Sequence, residues 1–174
     1  MADITFVIGG ARSGKSAFAE AEVLACSDKQ AVYVATAQAL DDEMKNRILL
    51  HQQRRDQRWL LVEEAQNLSS VIQQYNSKKN CLLIDCLTLW LNNMLFDESR
   101  DWILEKQTLL TTLENSQAKI IIVSNEIGQG VIPLGEENRY YVDELGWLNQ
   151  AVAKISGKAV LMAAGLPLIL KNNP

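Results

Sequence analysis

Gly9-Gly10-Ala11-Arg12-Ser13-Gly14-Lys15-Ser16 is the stretch on which the reading of this chain turns. It follows an apolar run, Ile4 to Ile8, and opens a stretch of helical character from Lys15 to about Cys26. Glycine, four residues, then Gly-Lys-Ser is the P-loop pattern. Gly9 and Gly14 let the backbone close around an anion with successive N–H groups pointing inward. The helix that begins near Lys15 adds the positive end of its dipole. Lys15 can reach the β- and γ-phosphates of a nucleoside triphosphate, and the Ser16 hydroxyl can ligate Mg²⁺. A glycine-rich turn without a ligand is the competing reading, but the flanking strand and helix are what a phosphate cradle requires.

Further apolar runs repeat the arrangement. Ala31 to Ala35, Cys81 to Ile84, Lys119 to Ser124 and Val160 to Ala163 read as buried strands, with Leu168 to Leu170 as a short last one. Segments with helical spacing of apolar residues separate them: Leu68 to Tyr75, Leu87 to Phe96, Trp102 to Leu113 and Val142 to Ile155. Asp41 and Asp42 can cap another helix running to about Arg55. Apolar strands alternating with helices predict an α/β fold of P-loop NTPase type, a mostly parallel sheet with helices on both faces. The run Cys81-Leu82-Leu83-Ile84 ends in Asp85, the place where such proteins hold a second Mg²⁺ contact, so Ser16 and Asp85 are the candidate metal ligands. The loop from Gly128 to Asn138 carries three glycines and reads equally well as a substrate loop or a plain connection.

The bulk composition narrows the class. A chain of 174 residues predicts one domain, residues 1–174, large enough to bury a core without disulfides or a structural metal. A net charge of −4 speaks against a general nucleic-acid binder or a polybasic membrane anchor. Phosphate binding must therefore come from local clusters. The three cysteines, Cys26, Cys81 and Cys86, have no paired or zinc-type spacing, which fits buried thiols in a reducing compartment. No secretory signal is visible at Met1-Ala2-Asp3-Ile4, and no run approaches the roughly 18 apolar residues of a membrane span. The cytosol is the expected location.

His51 is the single histidine. On a helix beginning at Asp41, Arg47 would precede it by four residues, with Arg54 and Arg55 three and four residues beyond. Guanidinium groups on one face suit phosphate oxygens, and their charge disfavours the imidazolium, leaving a neutral ring able to act as a nucleophile. A solvated basic helix face that includes a histidine has the same spacing.

Read together, these segments resemble the bifunctional adenosylcobinamide kinase and adenosylcobinamide-phosphate guanylyltransferase family of cobalamin biosynthesis. The resemblance begins at the glycine loop and continues through Tyr33-Val34-Ala35-Thr36-Ala37, Asp42-Glu43-Met44, Arg47-Ile48, His51, Trp59 and Glu63. It goes on through Asp85-Cys86-Leu87-Thr88-Leu89-Trp90-Leu91, Asn93 and Val123-Ser124-Asn125-Glu126-Ile127-Gly128. Gly130, Pro133, Arg139, Asp143, Gly146, Asn149-Gln150, Gly165-Leu166-Pro167-Leu168 and Leu170-Lys171 complete it. Val142 stands where the family usually has a basic residue.

The resemblance implies two reactions. The γ-phosphate of ATP or GTP passes to the aminopropanol hydroxyl of adenosylcobinamide, and GMP from GTP then passes through a guanylylated histidine to the cobinamide phosphate. It implies that His51 is the covalent residue, with Lys15 the other catalytic one, and that the assembly is a homotrimer. It implies nucleotide contacts at Gly9, Gly10, Ala11, Arg12, Ser13, Gly14, Lys15 and Ser16, at Ala35, Thr36 and Ala37, at Gln52, Gln53, Arg54 and Arg55, and at Glu63 and Asp85. Without the resemblance, Glu63 would read as an exposed carboxylate, and Asn125 and Glu126 have no assigned role. A kinase of another small metabolite and a nucleotide-dependent switch are the competing readings. The first leaves His51 without a task, and the second lacks the guanine-reading Asn-Lys-x-Asp motif of small GTPases.

Overall fold

The computed structural model describes residues 2–38 and 57–173. The strands within them are β1 (Ile4–Gly9), β2 (Gln30–Ala35), β3 (Trp59–Glu63), β4 (Asn80–Asp85), β5 (Lys119–Asn125), β6 (Lys158–Ala163) and β7 (Leu166–Asn172). They form one sheet in the order β3-β2-β4-β5-β1-β6-β7. Every neighbouring pair is parallel except β6 and β7, which form an antiparallel hairpin. The helices are α1 (Lys15–Leu24), α2 (Leu68–Gln74), α3 (Leu87–Leu95), α4 (Trp102–Glu114) and α5 (Glu136–Ile155).

The central strands are apolar at nearly every position because the two-residue period of a strand sends alternate side chains into two separate cores. Phe6, Ile8, Val32, Val34, Leu82, Ile84, Ile120 and Ile122 face a core completed by residues of α2, α3, α4 and α5. Val7, Tyr33, Leu83, Ile121, Val123 and Val160 face the other way, against Ala19 and Val23 of α1. The two buried tryptophans, Trp90 and Trp102, lie with ring centroids 5.6 Å apart. Each indole N–H has an acceptor at 2.7 Å, the carbonyl of Gln66 and the carboxylate of Glu144 respectively, as burial of that group requires.

The expected α/β architecture is present, with three differences in the elements. β3 was not foreseen, because Trp59-Leu60-Leu61-Val62-Glu63 is an edge strand with exposed Leu60 and Leu61 and shows no buried pattern. Its strand state comes from pairing with β2. α5 begins at Glu136 rather than Val142, since its first turns are exposed and carry no apolar period. Glu136 and Glu137 instead favour the positive end of the helix dipole. β7 starts at Leu166, where pairing with Ala163 extends the hairpin beyond the apolar triplet. The helix expected from Asp41 to Arg55 lies outside the described residues. Among the described residues, no helix is long and apolar enough to cross a membrane.

Candidate active site

Parallel strands place their C-terminal ends on one edge of the sheet, and this edge collects the predicted residues. Gly9 ends β1, Ala35 ends β2, Glu63 ends β3, Asp85 ends β4 and Asn125 ends β5. At the end of β1 the chain turns through Arg12 at φ +56° and Gly14 at φ +95° before α1 begins at Lys15. Alternating backbone handedness of this kind makes a concave nest of N–H groups, and the first turn of α1 adds its own unpaired donors.

Both glycines of the pattern have a steric reason. A Cβ on Gly9 would sit 2.4 Å from the carbonyl oxygen of Met162 and 2.8 Å from Ser13 Oγ. Gly14 combines its left-handed backbone with a close approach to Gly165 Cα, 3.3 Å from where a Cβ would stand. The turn of the β6–β7 hairpin thus packs directly on the loop, and the Gly165 N–H donates to the Ser13 carbonyl at 3.0 Å. On the other flank the Glu126 N–H donates to the Gly9 carbonyl at 3.0 Å. The cradle is braced from β5 and from the hairpin before any ligand arrives.

Lys15 is buried, and its ammonium donates to the carbonyl of Gly10, across the mouth of the loop, at 2.5 Å. Burial lowers its pKa, while the nearby Cys86 and Asp85 act in the opposite sense. The Ser13 hydroxyl is a buried polar atom with no hydrogen-bond partner among the described residues. An orphaned hydroxyl in such a loop fits a site meant to receive anionic oxygens, since an unmet buried polar group is costly.

Ser16 Oγ donates to Asp85 Oδ2 at 3.1 Å, which brings the two candidate metal ligands together. Among the described residues no group of three or more His, Cys, Asp or Glu side chains could hold a metal unaided. A hydroxyl and one carboxylate are the hard, sparse donor set that suits Mg²⁺, whose remaining positions go to phosphates and water. The residues present therefore fit that ion.

Thr36 is fully buried and works on the backbone beside Asp85. Its N–H donates to the Asp85 carbonyl at 3.2 Å. Its hydroxyl accepts from the Cys86 N–H and donates to the Cys86 carbonyl, each at 2.8 Å. Ala35 and Ala37 flank it and are half-buried at the sheet edge. Glu63 is exposed. Four strand spacings of about 4.8 Å separate β3 from β1, so Glu63 lies roughly 19 Å across the sheet edge from the cradle. His51, Gln52, Gln53, Arg54 and Arg55 lie outside the described residues.

A second polar network holds Asn125, which sequence reasoning left without a role. Its N–H donates to Thr88 Oγ1 at 2.8 Å, and its carbonyl accepts from Asn149 Nδ2 at 3.2 Å. The Tyr141 hydroxyl donates to the Thr88 carbonyl at 2.7 Å, and burial pushes its pKa up to about 12. Cys81 and Cys86 are buried as expected, their thiols pushed up to about 12 and about 11 chiefly by desolvation. Sequence reasoning missed the hairpin turn and the network around Asn125. Gly165, between the apolar runs Val160 to Ala163 and Leu168 to Leu170, is a sequence signal for the first.

Comparison with known proteins bears on the family and the fold. The family model described as cobinamide kinase / cobinamide phosphate guanyltransferase matches residues 5–170. A bifunctional adenosylcobalamin biosynthesis protein CobP of Pseudomonas aeruginosa is 47% identical, covering 97% of this chain and 97% of its own. The bifunctional adenosylcobalamin biosynthesis protein CobU of Escherichia coli is 35% identical, over 95% of this chain and 98% of its own. Among solved structures, the flagellar accessory protein FlaH of Methanocaldococcus jannaschii superposes with a TM-score of 0.55 at 14% identity, covering 98% of this chain and 79% of that one. A KaiC-like protein of the hyperthermophilic archaeon Pyrococcus horikoshii superposes with a TM-score of 0.51 at 15% identity, covering 91% and 70%. At such identities these two structures show the fold alone.

Proposed function

Since this chain belongs to the cobinamide kinase / cobinamide phosphate guanyltransferase family, we propose that it performs both reactions on a corrinoid in cobalamin biosynthesis. The observation that carries the reading is the braced phosphate cradle with Ser16 and Asp85 in contact at its floor. In the first reaction the aminopropanol hydroxyl oxygen of adenosylcobinamide attacks the γ-phosphorus of ATP or GTP. The nucleoside diphosphate leaves, and the hydroxyl proton is lost. The loop N–H groups and Lys15 hold the triphosphate, and the Lys15 ammonium, released from Gly10, turns toward the charge that develops on it. Mg²⁺, held by Ser16 and Asp85, would supply further neutralisation of the phosphate oxygens.

In the second reaction a ring nitrogen of His51 attacks the α-phosphorus of GTP and pyrophosphate leaves. A phosphate oxygen of adenosylcobinamide phosphate then attacks that phosphorus, the P–N bond breaks, and adenosylcobinamide-GDP forms with His51 regenerated. Ala35, Thr36, Ala37, Gln52 to Arg55 and Glu63 are the further nucleotide contacts in this reading. The proposal treats residues 1–174 as one domain, working in the cytosol.

The reading also includes a homotrimer. Its support is the outer edge strand β7, where Leu166, Leu168, Ile169 and Leu170 are 57–71% exposed. A lone edge strand this apolar is a surface that another chain can cover. Sedimentation equilibrium is expected to give the mass of three chains, and a monomer at micromolar concentration would remove this part.

The chemistry is tested by incubating the protein with adenosylcobinamide, Mg²⁺ and GTP labelled in parallel on the α- or the γ-phosphate. Both labels are expected in the corrinoid product, since the γ-phosphate arrives in the first step and the α-phosphate in the second. A corrinoid carrying only the γ-label would leave a kinase alone. A corrinoid carrying neither would overturn the assignment.

A further inference from the structure

Tyr33 sits in the middle of β2 and is 3% exposed, within the core that faces α1. The register of β2 against β4 pairs Ala35 with Asp85, so Tyr33 lies two residues back along the neighbouring strand. Its phenolic O–H donates to Asp85 Oδ2 at 2.7 Å. The Ser16 hydroxyl reaches the same oxygen at 3.1 Å. Neither hydrogen bond falls on Oδ1, and no other is found there among the described residues. The ring meets Trp59 edge-on, with centroids 5.8 Å apart and planes at 79°. Phenylalanine would fill the same apolar space and keep this contact. The hydroxyl is therefore the part of Tyr33 that packing does not explain.

We propose that Tyr33 is a positioning residue for Mg²⁺ at the phosphate cradle, acting through its hydrogen bond to Asp85. The proposal rests on the reading that a metal–nucleotide complex binds at Ser16 and Asp85. Two donors converging on Oδ2 oppose rotation of the carboxylate. Its orientation is set before the ion arrives, with Oδ1 left for the ion or one of its waters. Partners that orient a metal ligand in this way typically account for about 10- to 100-fold in metal affinity.

The test is calorimetric binding of a non-hydrolysable GTP analogue to the full chain, with Mg²⁺ or with EDTA. Wild type is compared with Tyr33→Phe, Asp85→Asn and Trp59→Leu. Tyr33→Phe is expected to bind roughly tenfold more weakly in Mg²⁺ and like wild type in EDTA. The Mg²⁺ concentration for half-maximal binding should rise by the same factor. Trp59→Leu disturbs the ring packing but keeps the hydroxyl, and it should retain the wild-type Mg²⁺ dependence. Equal weakening of Tyr33→Phe with and without Mg²⁺ would mean a packing role and overturn the proposal, as would wild-type affinity in both. If Asp85→Asn and wild type bind alike in Mg²⁺ and in EDTA, the metal reading itself fails and the role of Tyr33 falls with it.

Discussion

His51→Ala is expected to take up no label from GTP carrying its label on the α-phosphate, while wild type becomes labelled in an acid-labile, alkali-stable form. The reason is chemical. A phosphoramidate forms only on a nitrogen nucleophile that is neutral at working pH, and imidazole, whose ordinary pKa lies near that range, is such a group on the chain's single histidine. Removing the covalent nucleophile should lower guanylyl transfer on the order of 10⁴-fold or more, because His51 is the single histidine of the chain and no second imidazole can replace it. Phosphorylation of adenosylcobinamide should persist in the same variant, since it needs the cradle and no covalent residue. A denaturing gel reads the first outcome and recovery of corrinoid phosphate the second. Label retained on His51→Ala would place the nucleophile elsewhere. No label on nucleotide-binding wild type with Mg²⁺ present would leave a P-loop kinase or a switch.

Lys15→Ala should lower phosphoryl transfer on the order of 10²–10³-fold, the usual effect of removing one preorganised charged donor from a transferring group. The ammonium already lies at the mouth of the loop, held by the Gly10 carbonyl, and needs only to exchange that acceptor for phosphate oxygen. Lys15→Arg is not expected to restore the rate, because a planar fork cannot occupy a space shaped for a compact point charge. The variant also decides whether one nucleotide site serves both steps. Both reactions should fall, because the triphosphate of GTP would sit in the same cradle in each. Full guanylylation by Lys15→Ala, measured as α-label on His51, would require a second site for GTP, and the roughly 19 Å from the cradle to Glu63 leaves room for one.

Much of the candidate site is legible in the chain because its parts are local. A phosphate cradle consists of eight consecutive residues, and the strand before it and helix after it are consecutive as well. Asp85 is recognisable because an apolar run ends on it. Glu63 was legible only through family resemblance, since β3 has an exposed pattern and becomes a strand only by pairing with β2. Thr36 shows the limit of the same approach. The resemblance marks it as a nucleotide contact, while its buried hydroxyl is engaged with the backbone of Cys86.

By itself the sequence determined the α/β class, the cradle, the candidate metal pair Ser16 and Asp85, the family and, through that family, the proposed role of His51. These rest on contiguous patterns or on residue identities that survive without coordinates. Tertiary structure alone decided the strand order, the brace of the β6–β7 turn on Ser13 and Gly14, and the bond from Tyr33 to Asp85. Apolar strands of a parallel sheet look alike along the chain, so nothing local says which will be neighbours. Tyr33 and Asp85 are 52 positions apart and meet only because β2 pairs with β4 in a register that sets Ala35 beside Asp85.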